Sequence, residues 1–264
     1  MLQIPVLTYH SLNILGNDYH NNDHIALAQD LKLIADLGIE VISAYKLVQW
    51  LKQECTLDEK QKYVVLTFDD GSELDFKGWH HPQFGKQKSF YAIMQDFCGK
   101  IHATSFVIAA PSIRLELQKT CLAGHAIWRD DWWQQAQDSK ILGIENHSWD
   151  HLHSTLKTVA QCDNLKGDFR KITCFDDANT QIKLASDYIN SQIKNKKTSL
   201  FAYPFGHYNQ YLTEEYFPKK QNAIQAAFTC DGSKVNQQSP IWKIPRFVCG
   251  QHWHSIHELN KLLN

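Results

Sequence analysis

The chain has 264 residues, of which 43 % are hydrophobic, enough to bury the core of one large α/β domain or two small ones. A net charge of −1 gives no reason to expect nucleic acid or an anionic membrane as partner. Seven cysteines, odd in number and without a C-x-x-C pair, make a poor disulfide framework and a poor structural zinc site, so mostly free thiols in a reducing compartment are expected.

Taken in chain order, short apolar runs alternate with helical patterns. Pro5-Val6-Leu7-Thr8-Tyr9-His10 reads as a strand with a polar end. The start, Met1-Leu2-Gln3-Ile4-Pro5, has neither a basic stretch nor a long apolar one, and no run approaches the roughly 20 residues of a membrane helix. A cytoplasmic protein is therefore the expectation. Ile25 to Ala35 keeps helical spacing, with Gly38 placed as a C′ glycine. Strands are expected at Ile39–Ile42, Tyr63–Phe68, Ala103–Ile108, Ile141–Glu145, Leu200–Tyr203, Ala226–Thr229 and Trp242–Ile244. Helices are expected at Ala44–Lys52 and Ser255–Leu263, and after a cap at Asp176 or Asp177, where Ile182, Ala185, Ile189 and Ile193 form the apolar stripe. About eight strands with helices between most of them is the pattern of a parallel sheet or (β/α) barrel in one domain. Residues 72–88 and 111–138 read as insertions. Trp128 to Trp133 could wall a cleft, although an amphipathic helix is the commoner reason for such a segment.

The chemistry concentrates at a few strand ends. Thr67-Phe68-Asp69-Asp70-Gly71 follows an apolar β-branched run, and two carboxylates there need a cation or a proton-transfer role to offset their cost. Further on, His147-Ser148-Trp149-Asp150-His151 sets two imidazoles at i and i+4, able to face one way on a helical turn. A hydrolytic metal site wants about three protein ligands and open positions. His147, His151 and one carboxylate of the Asp pair supply them, leaving the other carboxylate as general base. Neighbouring strand residues point to opposite faces, so the two Asp side chains are expected to do different jobs. Nitrogen and oxygen ligands suit zinc, with cobalt, nickel or iron as alternatives. Taken alone, Asp-Asp-Gly is more often a turn, and His-x-x-x-His more often two unrelated histidines. The zincin pattern fails because Ser148 stands where its Glu belongs. His153 is a lesser candidate ligand.

With Phe201-Ala202-Tyr203-Pro204-Phe205-Gly206 and Ile244-Pro245-Arg246, these motifs resemble the polysaccharide deacetylases, the NodB-homology carbohydrate esterases of family 4. The opening strand with His10 resembles the permuted subgroup that deacetylates poly-N-acetylglucosamine. The resemblance implies a single distorted (β/α)7–8 barrel and a metal-dependent hydrolase that removes acetyl groups from N-acetylated sugars. It implies Asp69 as general base, held by Arg246; Asp70, His147 and His151 as metal ligands; the Tyr203 backbone N–H as oxyanion donor; and His10 as the acid that protonates the leaving amine. Trp79, Trp149 and Pro204 are expected to touch the substrate. Where many relatives carry Arg, this chain has Ala202, and His252 and His254 rival His10 as the acid. An O-acetyl esterase, a hydrolase of non-sugar amides, and a non-catalytic carbohydrate-binding barrel are the alternatives. A cytoplasmic member would act on a small or lipid-linked sugar, and segment 72–88 could restrict the site to short substrates.

Overall fold

The computed structural model describes residues 2–97, 99–122, 124–194, 196–219 and 223–264. In chain order the elements are β1 (Val6–His10), α1 (Asp23–Asp36), β2 (Glu40–Ile42), α2 (Ala44–Leu51) and β3 (Tyr63–Asp69). A hairpin follows, β4 (Trp79–His81) and β5 (Gly85–Gln87), then α3 (Phe90–Gln95), β6 (Ala103–Val107), α4 (Pro111–Cys121), α5 (Trp133–Asp138) and β7 (Leu142–Asn146). The last third holds α6 (Phe175–Ala178), α7 (Ala185–Gln192), β8 (Leu200–Ala202), β9 (Ala226–Phe228), β10 (Phe247–Val248) and α8 (Ile256–Leu263).

Local sequence explains the helix ends. Asn22 caps α1 by accepting from the His24 N–H. At its other end Gly38 has φ +63, and the Gly38 and Ile39 N–H groups bond back to Ala35 and Ile34, the Schellman pattern that only a residue free to adopt positive φ allows cheaply. Ser255 caps α8 while Glu258 accepts from the His254 N–H, a reciprocal arrangement across the first turn.

Eight strands form one sheet in the order β10-β1-β3-β6-β7-β8-β9, with β2 beside β3. All the pairings within it are parallel. Parallel strands covered on both faces read as continuous apolar runs, and every residue of β3 is buried. Ile244 bridges Phe228 at one edge, while Phe247 and Val248 pair with Leu7 and Thr8 at the other. Residues 244–248 thus span the gap between the two ends of the sheet. The strand expected at Trp242–Ile244 is found at Phe247–Val248 for this reason: only Ile244 of that run meets β9, and the chain must reach β1 before pairing resumes.

Two other expectations are corrected. The helix expected behind Asp176 or Asp177 is capped by Cys174, with both acids in its first turn. Asp177 instead accepts from the Cys162 N–H and the Gln161 side chain, tying a loop to α6. The apolar stripe Ile182, Ala185, Ile189 and Ile193 is buried as expected. Residues 111–138 carry α4 and α5, the crossover from β6 to its parallel neighbour β7. Trp132 and Trp133 are both fully buried within it. Segment 72–88 is anchored: buried Glu73 pairs with Arg129 at 2.7 Å and with Lys77 at 3.2 Å.

Candidate active site

The C-terminal ends of β1, β3 and β7, with the loops that follow β8 and β9, surround a cavity of about 250 Å³. His10, Asp69, Asp70, His147 and His151 all line it. Asp69 is the last residue of β3 and lies opposite His10 in the β1–β3 register. The strand stops there because Asp70 has φ +72 and Gly71 φ +70. This left-handed step overrides strand alternation and turns the second carboxylate into the same cavity as the first. A Cβ at Gly71 would meet the Val107 backbone Cα at 2.8 Å. Gly71→Ala is therefore expected to destabilise the fold by about 1–3 kcal/mol or more, read as a lowered midpoint in urea unfolding.

The two carboxylates have different partners. Asp69 receives both Nη atoms of Arg246, each at 2.7 Å, in a fully buried two-bond pair. Arg246 is itself fixed by donating from Nε to the Thr229 carbonyl at 3.0 Å. Burial alone would raise the Asp69 pKa, but the Arg246 guanidinium and then His147 hold it well below the usual carboxylate range. Asp70 points instead at the imidazoles: its Oδ1 lies 3.7 Å from Nε2 of His147 and 3.7 Å from Nε2 of His151.

The two histidines do not share a helical turn. His147 directly follows β7, and Ser148, His151 and Leu152 all have positive φ. An irregular loop brings the rings to 4.8 Å between centroids. Asn146 accepts from the Ser148 N–H, Ser148 Oγ from the His151 N–H, and Asp150 from the Leu152 N–H, so polar side chains brace the strained backbone. His147 Nδ1 donates to the Ala202 carbonyl at 2.9 Å, which turns Nε2 toward Asp70. Burial, with His147 next in effect, lowers the pKa of His151 and keeps it neutral.

Asp70, His147 and His151 are the group of potential metal ligands among the described residues, with their ligand atoms within 4.8 Å of one another. The two separations of 3.7 Å are slightly longer than the edges, about 3.3–3.6 Å, of a tetrahedral site with donors about 2.0–2.2 Å from its centre. Two imidazoles and a carboxylate match a cation's needs. His153 lines the cavity but stands outside this group, its Nδ1 engaged with Thr155.

Several sequence-expected contacts fall elsewhere. The Tyr203 N–H cannot serve an oxyanion, because it donates to the Phe228 carbonyl at 3.0 Å in the β8–β9 ladder. Its ring is buried and its hydroxyl donates to the Trp242 carbonyl. Trp149 packs beside Tyr188 at 6.1 Å and does not line the cavity; its carbonyl accepts from the Ala110 N–H. Trp79 lines a separate cavity, and Pro204 is buried at the turn. His252 is turned away, its Nδ1 accepting from the Val248 N–H at 2.8 Å, and His254 is exposed; neither lines the cavity.

Trp128 comes from the segment that the sequence offered as a possible cleft wall, whereas Phe205 and Asp75 are residues that sequence reasoning did not select. Trp128 forms a wall, its Nε1 donating to the Asp70 carbonyl at 3.0 Å. Phe205, at φ +58, sets its ring 4.4 Å from that of His151. Asp75 lies fully buried, accepting from Ser105 and Ser11, and burial followed by the charges of Asp70 and Asp69 raises its pKa to about 7. The Phe205-Gly206 step was the readable signal, since a glycine after a Tyr-Pro turn marks positive φ.

The sequence profile of the polysaccharide deacetylase family matches residues 56–217, more than half of the chain. The chain belongs to the polysaccharide deacetylase family. Comparison with curated protein sequences finds no match. Among solved structures, the Streptococcus pyogenes deacetylase PplD in complex with acetate is similar at TM-score 0.67 and 19 % identity, covering 100 % of this chain and 99 % of that one. IcaB from Ammonifex degensii is similar at TM-score 0.65 and 17 % identity, covering 100 % and 96 %. The polysaccharide deacetylase BC0361 from Bacillus cereus gives TM-score 0.67 and 17 % identity, covering 99 % and 69 %. At these identities the likeness establishes the fold, a parallel-stranded α/β barrel shared by polysaccharide deacetylases.

Proposed function

We propose that the protein is a metal-dependent deacetylase that hydrolyses the amide of an N-acetylated sugar. The observation that carries this reading is the division of the two adjacent carboxylates: Asp69 bound to Arg246, and Asp70 facing two imidazoles across one small cavity. A divalent ion held by Asp70, His147 and His151, most simply zinc, would lower the pKa of a bound water and polarise the acetyl carbonyl.

Asp69 takes a proton from the attacking water. Both its oxygens are bonded to Arg246, yet each keeps a second lone pair, and the residue lines the cavity. Arg246 fixes the carboxylate's direction and keeps it ionised. His10, across the β1–β3 register from Asp69, gives a proton to the departing nitrogen. An amine leaving group needs that proton far more than an alcohol does, so the presence of His10 in the cavity favours amide over ester cleavage. For the oxyanion, Pro204 has no N–H, and the N–H groups of Tyr203, Gly206 and His207 are already bonded within the protein. The Phe205 N–H is then the donor this turn can offer.

The test pairs metal analysis with acetate release from N-acetylglucosamine oligomers. Wild type is expected to bind one equivalent of zinc or a similar ion, and His147→Ala to lose both the metal and at least about 10³-fold of the activity. Undiminished acetate release from metal-free His147→Ala would remove the reading.

A further inference from the structure

Beside the catalytic cavity lies a second, of about 330 Å³. Leu12, Ile14, Leu74, Leu122 and Ile127 give it an aliphatic surface, and Leu15 stands at its edge, 74 % exposed. The β4–β5 hairpin closes one side. There Trp79 is held edge-on to His81 at 5.0 Å and to His125 at 5.3 Å, so the indole is fixed in the wall. No Asp, Glu, Lys or Arg lines the cavity among the described residues.

The linings of the two cavities come close at three places. His10 lines one and Leu12 the other; Trp128 lines one and Ile127 the other. Cys121 Sγ, on the apolar side, lies 4.0 Å from His153 Nε2 on the catalytic side. Another cavity, near 710 Å³, shares no lining residue with the catalytic one, and its Ile224 and Gln225 precede β9 at the opposite end of the sheet.

We propose that the second cavity binds an uncharged hydrocarbon arm carried on the same substrate molecule as the scissile acyl group. The inference rests on the deacetylase reading and deepens it by naming what else the substrate carries. A neighbouring sugar would need polar partners for its hydroxyls, since unpaired hydroxyls in an apolar site are penalised. The polar side chains of this wall are Gln83, His81, His125 and the Trp79 indole, outnumbered by six aliphatic ones, and His81 Nδ1 already accepts from the Gln83 and Phe84 N–H groups, each at 3.1 Å. Ile14, Leu74 and Ile127 form the buried floor, and covering the exposed Leu15 and the half-buried Leu12 and Leu122 with CH₂ groups removes apolar surface from water. The arm could enter as an aglycone or as a longer acyl chain, and the two sources differ only in which bond joins it to the sugar.

Three substrates separate the outcomes: N-acetylglucosamine, its hexyl glycoside, and N-hexanoylglucosamine. One hexyl compound is expected to exceed the parent in kcat/KM by about tenfold or more, chiefly through KM, and whichever does so identifies the source. In Leu15→Gln, an exposed change that the fold tolerates, and in Trp79→Ala, the ratio of hexyl to parent kcat/KM is expected to fall toward one. Ratios within twofold for both hexyl compounds in wild type, or ratios unmoved in both variants, would overturn the proposal. Calorimetric binding of hexyl β-glucoside, which has no acyl group, keeps the two readings apart. Binding weakened by Leu15→Gln without turnover of any substrate would support the cavity and refute the deacetylase. Deacetylation without hexyl binding would do the reverse.

Discussion

Asn in place of Asp69 is expected to lower acetate release by about 10²–10⁴-fold while metal content stays at the wild-type level. The side chain keeps its volume and one oxygen that can accept from Arg246. It loses the lone pair and charge that take the proton from the attacking water. Since Asp70, not Asp69, faces both imidazoles at 3.7 Å, the ligand set is untouched. The measurement is a single preparation assayed for both quantities: acetate by coupled assay, metal by elemental analysis. Lost metal would mean that Asp69 is itself a ligand, and its 3.8 Å separation from His147 Nε2 is the feature that would then matter. Full activity with metal retained would show that no carboxylate base is needed. The analogous change at Asp70 differs in kind, because a weakened ligand reduces metal occupancy and activity together.

The parts of this protein legible from sequence are those carried by short-range pattern. Strand runs such as Tyr63–Phe68 are continuously apolar because both faces are buried, and Gly38 and Ser255 mark helix ends by their own backbone chemistry. The pair Asp69-Asp70 and the imidazoles of His147 and His151 were visible because residues of those types at the ends of apolar strands are costly without a function. What could not be read depends on backbone paths of low regularity. Spacing of four suggested a helical turn for His147 and His151, whereas three positive-φ residues braced by Asn146, Ser148 and Asp150 deliver the same convergence without a helix. Tyr203 was misassigned because a motif gives residue order, not which N–H the neighbouring strand consumes. Trp149 and Trp128 illustrate the same limit: both are aromatic and near a motif, but only the loop path decides which one faces the cavity.

Replacing Arg246 by Met is expected to cost about 3–5 kcal/mol of stability, more than any surface change in the chain, and to reduce activity as well. Arg246 and Asp69 are both buried, and their two bonds at 2.7 Å offset the removal of each charge from water. Without the guanidinium, Asp69 is left as an uncompensated carboxylate beneath the cavity. The Thr229 carbonyl and Thr67 hydroxyl lose a donor at the same time. Lys at this position would keep the charge but not the planar two-bond fork, so it should recover part of the stability and little of the orientation. A double-mutant cycle distinguishes loss of the pair from loss of packing. If the cost is the stranded charge, Asp69→Asn combined with Arg246→Met should be less destabilising than the sum of the single changes by about 1–3 kcal/mol in urea unfolding. Strict additivity would show that Arg246 stabilises the fold through its packing against Phe106, whose ring lies 5.5 Å away, and would separate the residue's structural weight from its hold on the base.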